Sequence, residues 1–216
     1  MDGTLTSRPE SGFQIPILYW RLPAPMTAVS SGVHGGGLGV RDWVLNATVP
    51  MSYSRPDPSE HVGELAAGLG LTGPGVGLLT GVDVREVVSA ADAGVTAHAT
   101  VGLGSPAWAA APDGHLRRMR PGTINLVCFL PVRLSDAALV NAVATAAEAK
   151  AQAMWELGIE ATGTASNASC LLCPVTGESE PYGGPRSVWG ARLARAVHAA
   201  VLEGGKAWLA RPRAWG

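Results

Sequence analysis

The sequence predicts an α+β fold, with mostly antiparallel sheet(s) covered by three main helices in a single compact domain. Helix-like patterns occur only near residues 58–69, 136–157 and 187–203, and short strand-like segments lie in groups between them. Apolar residues make up 47% of the 216-residue chain and charged residues only 15%, which favours one well-buried core. No internal repeat or linker divides the chain. A layered α/β arrangement is the alternative.

Residues 1–12 are predicted to be a loose arm, and residues 13–216 a single domain. The strand-like segments within this domain are rich in β-branched and aromatic residues and end at Gly, Pro or Asn-containing turns. They are 13–22, 26–33, 42–50, 76–80, 84–90, 95–104, 123–132 and 160–175. A Pro-Ala-Pro turn is expected to separate the first two, and residues 105–122 are expected to form a mobile loop or lid.

Each predicted helix has a start signal. Asp57 and Pro58 begin the first, Ser135 and Asp136 begin the second, and Ser187 begins the third. The glycines before Ser187 leave free backbone amides that can hold a phosphate or carboxylate, although a simple helix cap is the favoured interpretation. The core face of the third helix is expected to contain Leu193, Val197 and Val201.

Composition excludes several classes of protein. A net charge of −1 gives no reason to expect nucleic acid or an anionic membrane as a partner. The first residues do not resemble a signal peptide, and no apolar run is long enough to span a bilayer. Three cysteines, an odd number, indicate a reducing compartment, so a cytoplasmic location is expected. The sequence requires no cofactor and does not specify an oligomeric state.

No metal site is predicted. Cys170 and Cys173 have the spacing of a zinc knuckle, but in a strand this spacing places their sulfurs on opposite faces. Buried, unreactive thiols are therefore expected. The five histidines are scattered along the chain and form no metal-binding pair in sequence.

The second helix carries an unusually placed lysine. At 100° per residue, Lys150 falls in the middle of the apolar face, with Val143 and Met154 among its neighbours. A buried ammonium needs a partner, a ligand or a route to solvent, because its desolvation is costly. Lys150 therefore either lines a cleft or has a structural role in an ion pair or a solvent-reaching side chain. Glu148 points about 200° away, so the two side chains cannot both line one small pocket.

Six ordered motifs make the chain resemble the adenosylcobinamide amidohydrolases of corrinoid salvage. They lie between about residues 14 and 203 in the order and spacing of that family. The motifs are NATVP from Asn46, LTGVDVR ending at Arg85, GTIN from Gly122, TAAEAK ending at Lys150, ATGTASNA from Ala161 and YGGPRSVWG from Tyr182.

The resemblance implies a hydrolase that cuts the amide between aminopropanol and the corrin ring, giving adenosylcobyric acid and aminopropanol. Within these motifs, the candidate catalytic residues are Glu148 and Lys150. The candidate residues for binding the corrinoid substrate are Asn46, Arg85, Gly122, Thr123, Asn125, Thr162, Gly163, Thr164 and Asn167. The chain departs from the family pattern at Ala147, Asn167, Pro185 and Arg186, and at 167 the family pattern has a carboxylate.

Amide hydrolysis needs a base for water, a donor for the oxyanion and an acid for the leaving amine. We expect Glu148 to activate water and Lys150 to stabilise the oxyanion or protonate the amine, with only one of the two in the pocket. Thr123 or Thr164 as nucleophile is a weaker alternative. Trp43, Trp108 and Trp189 are candidate walls for the flat ring. Two other readings stay open: a corrinoid-binding protein without turnover, and an amidase with a metal held by histidines.

Overall fold

The computed structural model describes residues 1–10, 12–112 and 123–210. Its strands, in chain order, are β1 (Thr4–Glu10), β2 (Phe13–Ser30), β3 (Gly37–Thr48), β4 (Gly75–Thr80), β5 (Val88–Asp92), β6 (Val95–Val101), β7 (Pro106–Ala107), β8 (Ile124–Phe129), β9 (Gly163–Thr164) and β10 (Ala168–Pro174). The helices are α1 (Pro58–Gly68), α2 (Asp136–Glu156) and α3 (Val188–Ala210), with one 3₁₀ turn at Val84–Glu86. None of the helices within the described ranges has the length and apolar character needed to cross a membrane.

The described strands form one eight-stranded mixed sheet and a small two-stranded sheet. The large sheet has the order β4-β3-β2-β10-β8-β6-β5, and β1 pairs with the first part of β2. Neighbouring strands are antiparallel except for β3 with β4 and β8 with β10. Each parallel pair is joined by a crossover helix, α1 or α2, as parallel strands require. The α+β class and the mostly antiparallel sheet are confirmed.

The sheet curls so that β3 and β4 approach β6 and β8 across its concave side. Hydrogen bonds join Asn46 on β3 to Thr100 on β6 and to Asn125 on β8, although these strands are not sheet neighbours. An apolar core that includes Leu18, Trp20, Val44, Leu78, Val127, Phe129 and Leu172 fills the concave side. The helices cover the convex side, α1 over β2 and β3 and α2 with α3 over β6, β8 and β10.

The N-terminal segment was predicted as a loose arm, and this is wrong for residues 4–10. They form β1, which pairs in register with β2 from Thr4 opposite Tyr19 to Glu10 opposite Phe13. The Pro-Ala-Pro turn is also a wrong prediction. Prolines are tolerated in a strand where pairing is interrupted, and the register of β2 against β3 shifts between Arg21 and Met26. β2 is therefore one long bulged strand.

The positions at which the helices start were predicted correctly, but only some of the expected N-terminal capping hydrogen bonds are present. Ser135 caps α2 by accepting a hydrogen bond from the Ala138 amide at 3.1 Å. Asp57 makes no such bond at the start of α1. Its carboxylate instead binds the Arg55 guanidinium, which lowers the pKa of Asp57 to about 2. Helix α3 continues to Ala210, beyond the predicted end near residue 203.

Gly183, before α3, and Gly190, in the first turn of α3, allow close packing. A Cβ on Gly183 would lie 2.1 Å from the Ala138 carbonyl oxygen, and one on Gly190 would lie 2.0 Å from the Gly184 oxygen. Thr145 of α2 is buried against this segment, and its hydroxyl donates to the Gly183 carbonyl at 2.8 Å. Ser187 caps the start of α3 through the Gly190 amide at 3.1 Å. The favoured interpretation, a helix cap, is confirmed.

The cysteines are buried and free, as predicted. Cys170 belongs to the core inside the curled sheet and Cys173 to the core beneath the helices. Burial raises the pKa of Cys170 to about 12 and also raises the pKa of Cys128 and Cys173, so these thiols stay protonated.

Buried His98 predicts a loss of stability in mild acid. Its imidazole is packed against Trp20 and Phe129 and contacts the Ser89 hydroxyl at 2.7 Å, and burial lowers its pKa below 6.5. Below about pH 6.5, His98 of the unfolded chain binds a proton, whereas the folded imidazole stays neutral until a lower pH. The free energy of unfolding therefore falls as the pH decreases.

Urea unfolding between pH 7.5 and pH 5 measures this effect. The expected result is a smaller decline in His98→Gln than in wild type. Some decline will persist because burial also lowers the pKa of His61. Equal declines in both proteins would contradict the assignment.

Candidate active site

A small cavity lies between α2 and the points where the parallel strands β8 and β10 begin. Its volume is about 160 Å³. The walls are mostly apolar. The residues that line it are Ile124, Leu126, Val143, Ala146, Ala147, Lys150, Asn167, Ala168 and Ser169. Ala147 is exposed, so the cavity is open to solvent beside α2.

Lys150 supplies the cationic group of this cavity. The buried face of α2 includes Ala142, Thr145 and Ala149, so its centre differs from the predicted one and half-buried Lys150 lies at its edge. Burial lowers the pKa of Lys150. Within the described part of the chain, no carboxylate lies at ion-pair distance from its amine. Lys150 therefore combines a lowered pKa with access to a hollow.

The turn that contains Gly163, Thr164 and Asn167 borders the lysine amine. A Cβ on Gly163 would lie 2.7 Å from Lys150 Nζ and 2.3 Å from Asn167 Nδ2, so only glycine fits there without displacing these groups. The Asn167 side chain closes the turn by accepting from the Thr164 amide and hydroxyl and donating to the Thr164 carbonyl. The structure thus brings together four of the predicted site residues.

Glu148 is not brought to this cavity. It is exposed, on the solvent side of α2, and is absent from the residues that line the hollow. The helical geometry that separates Glu148 from Lys150 is as predicted. The role of Glu148 as the base that activates water has no support from its position.

Asn46 and Asn125 lie on the other side of the sheet from the lysine. Ile124 and Leu126 face the cavity, so Asn125 between them faces the concave interior. Asn125 Nδ2 donates to Asn46 Oδ1 at 2.9 Å and to the Leu79 carbonyl at 3.1 Å. The two residues are 1% and 2% exposed, and Asn125 Oδ1 has no hydrogen-bond partner among the described residues. Their hydrogen bonds join β3, β4 and β8 across the concave side of the sheet.

Two further predicted binding residues are already engaged with protein groups. Arg85 is exposed and pairs with the Asp83 carboxylate through its Nε, at 2.9 and 3.0 Å from the two oxygens. Thr123 is buried at the entrance to β8, and its hydroxyl contacts that of Ser166 at 2.6 Å. Gly122 lies outside the described residues, as does the second half of the predicted lid.

Thr162 connects the turn beside the lysine to the first part of the predicted lid. Its amide donates to the Ala107 carbonyl at 3.1 Å, and its hydroxyl accepts from the Ala109 amide at 2.9 Å. Between these two residues, Trp108 is 48% exposed, so a flat ligand can stack on it. The other two candidate walls differ. Trp43 is buried in the core under α1. Trp189 belongs to the first turn of α3 and is partly buried under the Arg192 guanidinium.

Sequence reasoning missed three residues around the site. Ser169 lines the cavity, Ser166 partners Thr123, and Thr100 partners Asn46. Strand alternation could have identified Thr100, because it sits opposite Asn125 in the β6–β8 pair. The two serines lie within or next to a quoted motif, but only the path of the turn decides which way they point.

The chemistry available here is proton transfer in a mostly apolar hollow. An amine with a lowered pKa gives up and regains its proton more readily than an exposed lysine, and the neighbouring amide nitrogen of Asn167 can donate to a carbonyl oxygen. No group of three or more metal-ligating side chains occurs within the described ranges. Thr164, the alternative nucleophile, already donates its hydroxyl to Asn167 Oδ1 at 2.6 Å.

Comparison with known proteins gives a consistent result. A sequence profile of the family described as adenosylcobinamide amidohydrolase matches residues 3–213. Proteins named adenosylcobinamide amidohydrolase from Methanosarcina mazei and Halobacterium salinarum are similar to this chain. The first is 30% identical over 186 residues, which cover 82% of this chain and 88% of that protein. The second is 36% identical over 180 residues, which cover 80% and 77%. On this evidence the chain belongs to the adenosylcobinamide amidohydrolase family.

Proposed function

We propose that this protein hydrolyses the amide bond that links aminopropanol to the corrin ring of adenosylcobinamide. The products are adenosylcobyric acid and aminopropanol, and the role is salvage of incomplete corrinoids. The observation that carries the proposal is family membership over residues 3–213 together with a lysine amine that has no ion-pair partner among the described residues and lines a hollow at two of the family motifs. A cytoplasmic location, which the free cysteines support, is part of the proposal.

The size of the hollow suggests which part of the substrate it holds. Pockets for drug-sized ligands are about 300–1,000 Å³, so a cavity of about 160 Å³ cannot enclose a corrin ring. It can hold one short arm. We place the aminopropanol arm and its amide beside Lys150, with the arm's methyl group against Ile124 and Val143. The ring itself stays outside, where exposed Trp108 offers a stacking surface.

Lys150 can carry one proton through both halves of the reaction. In its neutral form, Nζ takes a proton from water as the water oxygen bonds to the amide carbon. The tetrahedral intermediate bears a negative oxygen, which accepts a hydrogen bond from the resulting ammonium or from Asn167 Nδ2. Lys150 then returns the proton to the leaving nitrogen as the carbon–nitrogen bond breaks. The carboxylic acid and the amine are released, and the lysine is neutral again.

A corrinoid-binding protein without turnover is the second candidate. The observation in its favour is that none of the described residues lining the cavity is a carboxylate that could act as a base. Ala147 and Asn167 are two of the positions at which the chain departs from the family pattern. In this alternative Lys150 would serve only to bind the substrate carbonyl.

A turnover assay separates the two candidates. Purified protein is incubated with adenosylcobinamide, and free aminopropanol and adenosylcobyric acid are quantified by mass spectrometry. We expect both products in equal amounts, and undiminished rates in the presence of a chelator. Tight binding of adenosylcobinamide without formation of either product would show that the protein binds corrinoids and does not hydrolyse them. Loss of the rate with chelator, restored by added metal, would favour a metal-dependent amidase.

A further inference from the structure

We infer that Asn167 is a positioning residue for Lys150: it fixes the turn beside the amine and keeps an uncharged group where a carboxylate would form an ion pair with it. Its contribution to catalysis rests on the proposed function. Its effect on the lysine charge does not, since that effect depends only on the geometry of the folded chain.

The Asn167 side chain is fully engaged with the turn on one side. Oδ1 accepts from the Thr164 amide at 3.1 Å and from the Thr164 hydroxyl at 2.6 Å. Nδ2 donates to the Thr164 carbonyl at 3.0 Å. These bonds settle the orientation of the carboxamide, because only the nitrogen can donate to that carbonyl. Its second N–H is left to face the cavity.

The same nitrogen lies close to the lysine amine. Asn167 Nδ2 and Lys150 Nζ are 2.3 Å and 2.7 Å from one point, the position that a Cβ on Gly163 would take. A carboxylate at position 167 would have an oxygen at the place of Nδ2. An ion pair with Lys150 Nζ would then be within reach, and opposite charges this close raise the pKa of an amine.

No other ionisable side chain lines the cavity among the described residues. Lys150 shares the cavity with residues from α2, from β8 and from the start of β10 with the asparagine before it, and none of those eight neighbours is ionisable. Burial alone lowers the pKa of the amine. With asparagine at 167, the lysine releases its proton more readily than an exposed lysine does; with aspartate, the ion pair would hold the proton in place.

The lysine content of the chain makes a direct test practical. Lys150 and Lys206 are the only lysines, so protein labelled with ¹³C at lysine Cε gives two signals, and Lys206→Arg assigns them. The experiment follows the chemical shift of Lys150 Cε against pH in wild type and in Asn167→Asp. We expect Asn167→Asp to raise the midpoint of Lys150 by about 1–3 pH units.

Two variants serve as controls. Ala165→Asp adds the same charge at an exposed position of the same turn, where solvent screens it, and should move the midpoint by about half a unit or less. Thr164→Val removes the hydroxyl bond to Asn167 without adding charge and should not raise the midpoint. The inference is overturned if Asn167→Asp leaves the midpoint unchanged, or if Ala165→Asp or Thr164→Val raises it equally.

The activity of the same variants links this effect to catalysis. If Lys150 carries the proton, the acidic limb of the kcat–pH profile for adenosylcobinamide should move upward in Asn167→Asp by the shift seen in the titration. Absence of turnover in wild type would refute the proposed function and leave the titration result standing. If Asn167→Asp raises the midpoint of Lys150 but leaves the acidic limb of the kcat–pH profile unchanged, then Asn167 has no role in catalysis.

Discussion

Replacing Lys150 with methionine is expected to lower kcat for adenosylcobinamide hydrolysis by about 10²–10⁴-fold, the usual contribution of a general acid–base group. Methionine is similar in length and apolar, and it fits against Val143 and Ala146 in the cavity wall. The free energy of unfolding should stay constant or rise, because the variant no longer desolvates an amine. Steady-state kinetics and urea unfolding measure the two quantities on one preparation.

Three further variants test whether the loss of kcat in Lys150→Met reflects proton transfer by this lysine. Lys206→Met removes the other lysine, which is exposed on α3, and should leave kcat unchanged. Lys150→Arg keeps a charge that cannot be given up at neutral pH, so it should remain as slow as Lys150→Met if proton transfer is the role. Glu148→Gln should keep near-normal activity, because Glu148 is exposed and outside the cavity. A strongly reduced kcat for Glu148→Gln, together with a near-normal kcat for Lys150→Met, would instead assign the acid–base role to Glu148.

Replacing Gly183 with alanine is expected to destabilise the fold by roughly 3 kcal/mol, at the upper end of the usual cost of overpacking. The new Cβ would lie 2.1 Å from the Ala138 carbonyl oxygen and 2.9 Å from the Ala142 amide nitrogen. Both atoms belong to the backbone of α2, so no side chain can move aside. The segment before α3 must shift away from α2, and the bond from the Thr145 hydroxyl to Gly183 is lost.

Gly184→Ala is the matched control. Its Cβ would meet only the end of the Asn141 side chain, at 2.9 Å, and that side chain can rotate away. Urea unfolding should therefore show a change of less than about 1 kcal/mol for Gly184→Ala. Equal stability of the two variants would mean that Gly183 is not required for the packing of this segment against α2.

Several elements could be predicted from the sequence because their signals are local. Helix α2 begins at its Ser135 cap and ends before Gly158, whose φ of 73° suits glycine. The opposite burial of Cys170 and Cys173 follows from strand alternation. The strand β2 was divided in error, because prolines usually end a strand and nothing nearby in sequence shows that β1 and β3 hold the two halves together.

The sequence by itself determined the family, the α+β class and the presence of a lysine on the largely apolar side of a helix. Each of these depends on residue order or on the period of one element. Only the tertiary structure decided which motif residues share a site. The curl of the sheet turns Asn46 and Asn125 toward the interior, while α2 places Lys150 beside Gly163 and Asn167 on the other side of β8. The physical reason is that neighbours along one strand face opposite sides, so motifs that are close in sequence can serve two separate surfaces.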